Sequence, residues 1–553
     1  MIRLFKKIGL SVLLLSSYMS QAKKNTSDYN ILWLSCEDIG PVLGCYGNNV
    51  VQTPNIDQVA REGVVYDHAY ATVGVCAPSR SSIITGMYPV NIGTHNMRTG
   101  KHFTYSESVT LETIQNIYDQ RGHNVPQYSV VVPPFVKCFS EYMRKAGYYC
   151  TNNSKCDYQF ACPITAWDEC SRKASYENRP LGQKFFAVYN HGVTHESQIW
   201  KRDKLPLTVD PDNVIVPDYY KDTPLVRRAI SRKYSNIEAF DKQVGEWIDK
   251  LKKQNLLDKT IIVIWSDHGG NLLRQKRAAT NSGLRVPLII RYPDKQSAGT
   301  RVSDLVSLMD LGPTMMSLGG IKPPAYMHGK AFAGKYKESK THRYIYGSAD
   351  RMDAVYDQVR SVIDGRYVYI RNYYPEKPYM SRLEYREQIP MTPELFQLSM
   401  EGKLDGTKNY IFSATKPLEE LYDLHSDPDE VKNLAGKTGY FDKLQELRTA
   451  LGEWQLRVSD KGFIAEQDLI RMMWPNMIQP ETSNVIFKLN KKKLSMDCKT
   501  NGASIAYQLG DQIGGQHWTL YDKPLTLKKG QEVIAKAIRI GYKPSKTTEF
   551  DYE

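Results

Sequence analysis

Long apolar runs are scarce in this 553-residue chain, and the one nearest the N-terminus, residues 8–15, is too short to cross a bilayer. Stable membrane insertion is therefore not expected. Arg3, Lys6 and Lys7 precede that run and Ser20-Gln21-Ala22 follows it, so residues 1–22 read as a signal peptide, with an uncleaved anchor as the other reading. No lipoprotein-like cysteine comes after it. The expected fate is export, periplasmic or secreted. Cysteine is short as well: nine is too few for a disulfide scaffold, though many for a cytosolic enzyme. Cys138, Cys150, Cys156, Cys162 and Cys170 are spaced by 12, 6, 6 and 8 residues, which matches no zinc pattern and leaves either one or two disulfides or unpaired buried thiols. DNA-binding motifs and arginine-rich arms are missing, so the net charge of +13 does not point to nucleic acid. Without the three cations of the leader the charge is still +10. An exported basic protein attracts polyanions, although scattered lysines that only keep the chain soluble account for part of the excess.

What is present begins with buried strands. Tyr29-Asn30-Ile31-Leu32-Trp33-Leu34-Ser35 is a continuous apolar run of the kind a parallel sheet covers on both faces, and it runs directly into Glu37-Asp38. In open α/β sheets ligands bind at such C-terminal strand ends. A second strand, Ile261-Ile262-Val263-Ile264-Trp265, ends the same way in Asp267-His268. Between them lie a capped helix over residues 53–63, a short strand through Val64 and Tyr66, a helix over 139–146, a strand over 184–189 and an amphipathic helix over 234–254. Alternation of this kind predicts an α/β fold, a large parallel or mixed sheet sandwiched by helices.

Cys76 stands in Val75-Cys76-Ala77-Pro78-Ser79-Arg80-Ser81-Ser82-Ile83-Ile84-Thr85-Gly86. Pro78 suits the first turn of a helix and Gly86 its end, which puts a thiol and Arg80 at a helix N-terminus facing an anion. The residues alone allow a nucleophile of lowered pKa or a buried cysteine before an ordinary helix.

Cys-x-Pro-Ser-Arg, followed by a short helix ending in Thr85-Gly86, resembles the signature of the type I sulfatases of the alkaline phosphatase superfamily, and ordered motifs extend the resemblance over residues 29–435. It implies an alkaline-phosphatase-like sheet, a catalytic domain over 23–375 and a smaller C-terminal α+β subdomain over 376–480. Beyond it, alternating segments from about residue 484 read as strands, and 481–553 resembles the small β-sandwich appended to some hexosaminidases and other glycan enzymes. The sulfatase resemblance also implies that a maturation enzyme oxidises Cys76 to formylglycine, whose hydrate attacks sulfur and then expels sulfate. One divalent cation, Ca²⁺ or Mg²⁺, would be held by Glu37, Asp38, Asp267 and His268 with the residue derived from Cys76. Glu37 departs from the usual aspartate. Lys155 and Lys276 match lysines that hold the sulfate, and His195 matches the histidine that acts on the leaving group. Asp157 stands where the family has histidine, so that Asp157, His191 or another histidine serves, or one proton-transfer step differs.

The expected activity is hydrolysis of sulfate esters on a sulfated carbohydrate, an exported polyanion that fits the basic charge. A phosphomonoester or phosphonate monoester hydrolase is the alternative within the superfamily, and a non-catalytic glycan-binding relative lies further off. Residues 91–127, 351–371 and 367–385 are expected to line the outer wall, where tyrosine stacks on sugars and arginine pairs with their anions. Oligomeric state is left open by the sequence.

Overall fold

The computed structural model describes residues 28–100, 117–295 and 297–553. The leader expected over 1–22 lies outside the described residues, as does much of 91–127. Nine strands form the main sheet: β1 (Asn30–Cys36), β2 (Val64–Tyr70), β3 (Tyr149–Asn153), β4 (Glu169–Cys170), β5 (Phe185–His191), β6 (Thr260–Ser266), β7 (Arg285–Val286), β8 (Leu288–Arg291) and β9 (Thr300–Ser307). Their order is β4-β3-β5-β1-β6-β8-β2-β7, with β9 beside β2. From β3 to β6 the neighbours run parallel, whereas β8 is antiparallel to both β6 and β2, so the sheet is mixed.

Period-two alternation, with both faces covered, explains why β1 carries a continuous apolar run from Ile31 to Leu34. Ile31 and Trp33 pack on one face with Phe186, Val263 and Trp265, beneath helices Cys76–Thr85, Phe139–Lys145 and Leu311–Leu318. Leu32 and Leu34 face the other way with Ala187, Ile262 and Ile264, beneath helices Pro54–Arg61 and Pro224–Lys253. The last of these starts ten residues before the expected 234. Pro224 occupies its first turn and Thr223 Oγ1 accepts from the Val226 amide at 3.2 Å. The charges of Arg227 and Arg228 mask an apolar face that continues through Val226, Ala229 and Ile230.

A second, antiparallel sheet runs β10 (Ile345–Ala349), β11 (Val359–Ile363), β12 (Tyr367–Asn372) and β13 (Glu419–Asp423). The boundary expected at 375/376 lies between its third and fourth strands. Helix Phe441–Val458 covers this sheet through Trp454, whose ring stacks on Tyr346 at 4.9 Å and meets Tyr88 edge-on at 5.2 Å. Trp454→Ala empties the middle of that core and is expected to cost about 3–5 kcal/mol. A lowered thermal midpoint, with activity preserved in the cold, is the measurement that checks it.

Two small antiparallel sheets over 485–552 enclose one core of Val485, Leu494, Ile505, Val533 and Ala535. Lys137 Nζ donates to Gly502 O at 2.6 Å and Arg144 Nη2 to Trp518 O at 2.7 Å, tying this segment to the main body. Among the described residues no disulfide joins any of the nine cysteines. Three of the clustered five gather, with Cys170 Sγ 3.3 Å from Cys156 Sγ and 3.9 Å from Cys162 Sγ, while Cys138 and Cys150 are buried elsewhere.

Candidate active site

Strand register brings distant chemistry together. Cys36 lies opposite His191 of β5 and Ser266 of β6, so Glu37-Asp38, Asp267-His268 and the turn after β5 emerge side by side at the C-terminal sheet edge. Helix Cys76–Thr85 closes over them. All ten of its residues are buried, Gly86 ends it in the left-handed region at φ 68°, and Pro78 sits in the first turn, where its missing N–H costs no helical bond. Ser79 Oγ donates to Asp267 O at 2.5 Å and fixes the helix on β6. Cys76, 2 % exposed, thereby holds Sγ 3.4 Å from His268 Nε2 and 3.8 Å from Asp38 Oδ1. Backbone packing leaves little play after β6: Gly269 N donates to Gly283 O at 2.9 Å, and a Cβ on Gly269 would lie 2.2 Å from Ser282 O.

Cations line the opposite side. Arg80 Nε donates to Asp267 Oδ2 at 3.1 Å and Nη1 to Asn190 Oδ1 at 2.7 Å, while its buried Nη2 has no hydrogen-bond partner. Lys155 Nζ donates to Glu37 Oε2 at 2.9 Å. Lys276 Nζ lies 2.5 Å from Asp38 Oδ2, 3.1 Å from Glu196 Oε1 and 3.3 Å from His195 Nε2. On its other side His195 Nδ1 is 2.9 Å from Ser197 Oγ, which sets the plane of the ring.

Charge crowding dominates the titration of these groups. Burial works against the thiolate of Cys76, yet Lys155 and Lys276 bring its pKa below the ordinary value. Burial likewise disfavours charged His268, but Asp267 and Asp38 push the imidazole up to about 10. Both lysines are raised by the anions around them against the effect of burial.

The donor set suits a hard divalent cation. Asp38, Cys76, Asp267 and His268 each present one donor atom, all within 4.8 Å of one another, and Glu37, Asp38, Cys76 and His195 form an overlapping group. Carboxylate oxygens around one point are the chemistry that Ca²⁺ and Mg²⁺ take. The orphaned Arg80 Nη2 answers to a ligand anion beside it.

All the expected site residues, Glu37, Asp38, Cys76, Arg80, Lys155, His195, Asp267, His268 and Lys276, therefore fall in one cluster. Asp157 is buried with Oδ2 3.7 Å from Lys155 Nζ. His191, one of the expected substitutes for the family histidine, is engaged elsewhere: its Nδ1 lies 3.0 Å from Ser35 O and Trp247 Nε1 donates to its Nε2 at 3.1 Å. Residues the sequence did not single out complete the network. Asn190 joins Arg80 to Asn152, Thr194 Oγ1 accepts from the Glu37 amide at 3.0 Å, and Arg277 grips Glu196 with two bonds of 3.0 and 2.8 Å while the Glu196 amide donates to Asp38 Oδ2 at 2.7 Å. Glu196 and Arg277 are the sequence neighbours of His195 and Lys276, which is the signal that marks them.

Comparison with known proteins gives the family. The family model for sulfatases matches residues 29–321, and that for the N-sulphoglucosamine sulphohydrolase C-terminal region matches 269–382. An ulvan-active sulfatase of Formosa agariphila is 41% identical over 94% of this chain and 91% of its own length. A second ulvan-active sulfatase of that organism is 26% identical, over 77% of this chain and 79% of its own. Among solved structures, BT4656 in complex with its substrate D-glucosamine-2-N,6-O-disulfate aligns with a TM-score of 0.53 at 18% identity, covering 78% of this chain and 98% of that one, a likeness of fold. The fold is alkaline-phosphatase-like and the enzyme is a sulfatase. With the sulfatase model over more than half of its residues and a relative 41% identical across nearly all of it, the chain belongs to the sulfatase family.

Proposed function

We propose that this sulfatase removes sulfate from a sulfated carbohydrate, with Cys76 as the precursor of formylglycine and a divalent cation, Ca²⁺ first and Mg²⁺ second, at Asp38, Asp267, His268 and Glu37. The observation that carries it is the convergence of Cys76 with acidic residues on one side and Arg80, Lys155 and Lys276 on the other. The names of the 41%-identical relative and of the disulfated sugar bound to BT4656 support the carbohydrate. When present, the modified residue supplies a hydrated aldehyde as nucleophile and the cation supplies Lewis acidity.

The rest falls to side chains of the chain itself. Arg80, Lys155 and Lys276 form an electrostatic clamp for the three spread oxygens of the sulfuryl group, preorganised because each is already fixed by a carboxylate. His195 is the general acid for the departing alkoxide, its ring held by Ser197 and its Nε2 turned to Lys276. Glu37 spans Lys155 and Arg80, lying 3.7 Å from Arg80 Nη2, and so couples the clamp to the cation site. Export to a periplasm or beyond, and maturation by a formylglycine-generating enzyme, complete the proposal. Among the described residues no helix is long and apolar enough to cross a membrane.

Turnover of an aryl sulfate against the matching aryl phosphate is the first test, joined to desulfation of defined sulfated oligosaccharides. Faster phosphate hydrolysis would point to the phosphomonoesterase or phosphonate monoesterase alternative. Exhaustive chelation is expected to lower turnover by about a hundredfold, with Ca²⁺ restoring it. Full activity in a preparation that elemental analysis shows to be free of divalent metal would remove the cation from the proposal.

A further inference from the structure

Past Lys276 and Arg277 lies a cleft bounded by the turn after Lys276, the second sheet and the segment that carries Arg386. Most charges along it are already matched. Asp350 accepts from Arg360 at 2.9 and 3.1 Å, Asp357 from Lys416 Nζ at 2.5 Å, and Glu420 from Tyr379 Oη at 2.8 Å and Asn372 Nδ2 at 2.6 Å. Arg277 is occupied by Glu196 and Asp353.

Arg386 is the exception. It is 8 % exposed, its Nε has no hydrogen-bond partner, and Nη1 donates to the thioether sulfur of Met380 at 3.2 Å. Among the described residues it forms no ion pair. A guanidinium out of water with no carboxylate at ion-pair distance is costly to fold around, and burial, with Arg277 nearby, outweighs the more distant Glu196 and Asp353 and pulls its pKa down to about 10. The planar fork of an arginine is complementary to a carboxylate or sulfate. Beside it in sequence, Tyr385 is 43 % exposed and meets Trp200 edge-on at 5.2 Å.

We propose that Arg386 is the floor of an anion-binding subsite, which takes a carboxylate or a second sulfate on the sugar adjoining the ester that is cleaved. The site rests on the sulfatase proposal above for its substrate, and on its own geometry for the anion. It makes Arg386 a specificity-determining residue and narrows the substrate to glycans that carry a second negative group.

Arg386→Met and Arg386→Lys test this. The ratio of kcat/KM for a uronate-bearing sulfated oligosaccharide to that for an aryl sulfate is expected to fall about tenfold or more in the methionine variant, mainly through KM, and to recover in part with lysine. Removal of an unmatched buried charge should leave the thermal midpoint unchanged or raised. An unchanged ratio, or an equal loss on both substrates with a lowered midpoint, overturns the subsite in favour of a structural arginine. Binding is read separately from turnover: glucuronate and a neutral sugar sulfate are each titrated into the wild-type chain and into Arg386→Met. A midpoint rise confined to the wild type supports the subsite even if neither ester is hydrolysed, and shows which anion it prefers. Equal responses of the two proteins to both ligands overturn it.

Discussion

Cys76→Ala is expected to lower turnover by about 10⁴-fold or more and leave the fold in place. Alanine is the best helix former and Cys76 opens a helix, so the backbone has no reason to move. The substitution removes one sulfur whose neighbours are His268 Nε2 and Asp38 Oδ1, and these retain each other at 2.9 Å. Activity and thermal midpoint should therefore separate cleanly. Mass spectrometry of the tryptic peptide that ends at Arg80 supplies the complementary measurement, since it reads the chemical state of residue 76 directly. Retained activity in the alanine variant, or an active wild-type preparation in which that peptide carries unmodified cysteine throughout, would sink the proposed nucleophile.

Lys276→Met comes next in expected size, about 10²–10³-fold in kcat/KM. Nζ touches Asp38, Glu196 and His195, so one methylene stem positions a charge between the cation site and the general acid. Glu196 keeps Arg277 as a partner, whereas Asp38 loses a buried counter-charge, and part of the effect will be lost stability. Lys276→Arg retains the charge and separates the two contributions. The loss in kcat should grow as the leaving alcohol becomes more basic, because protonation of that oxygen passes through the His195–Lys276 pair. A loss independent of the leaving group would assign Lys276 to ground-state binding alone.

The strand ends were readable from sequence because a continuous apolar run that stops at a carboxylate has few other interpretations. Glu37-Asp38 after β1 and Asp267-His268 after β6 are of this kind, and the Cys76 segment carried its own helix punctuation in Pro78 and Gly86. Strand parity would have gone further. Phe185, Ala187 and Tyr189 face the core beneath the helix Pro224–Lys253, which sends His191 to that side, where its ring meets Phe240 and Trp247. Phe186 and Val188 face the opposite core, beneath helix Cys76–Thr85, and Asn190 shares their parity and meets Arg80. The pairing of Arg277 with Glu196 was out of reach, since it joins residues 81 apart through loops that follow no periodicity. The early start of the helix at Pro224 was hidden by arginines on its solvent side, and the start of the second sheet at β10 by strands rich in tyrosine and arginine.

The register of β1 on β6 also governs when this enzyme comes into being. Asp38 and Asp267 are 229 residues apart, and their meeting waits on pairing between strands at opposite ends of the catalytic sequence. Closing a loop of that length carries an entropic cost that local helices do not share. A nascent chain that already has helix Cys76–Thr85 but has not made β6 owns a thiol and an arginine without Asp267 to face, so partial synthesis yields no partial enzyme, and recovered activity reports this long-range closure.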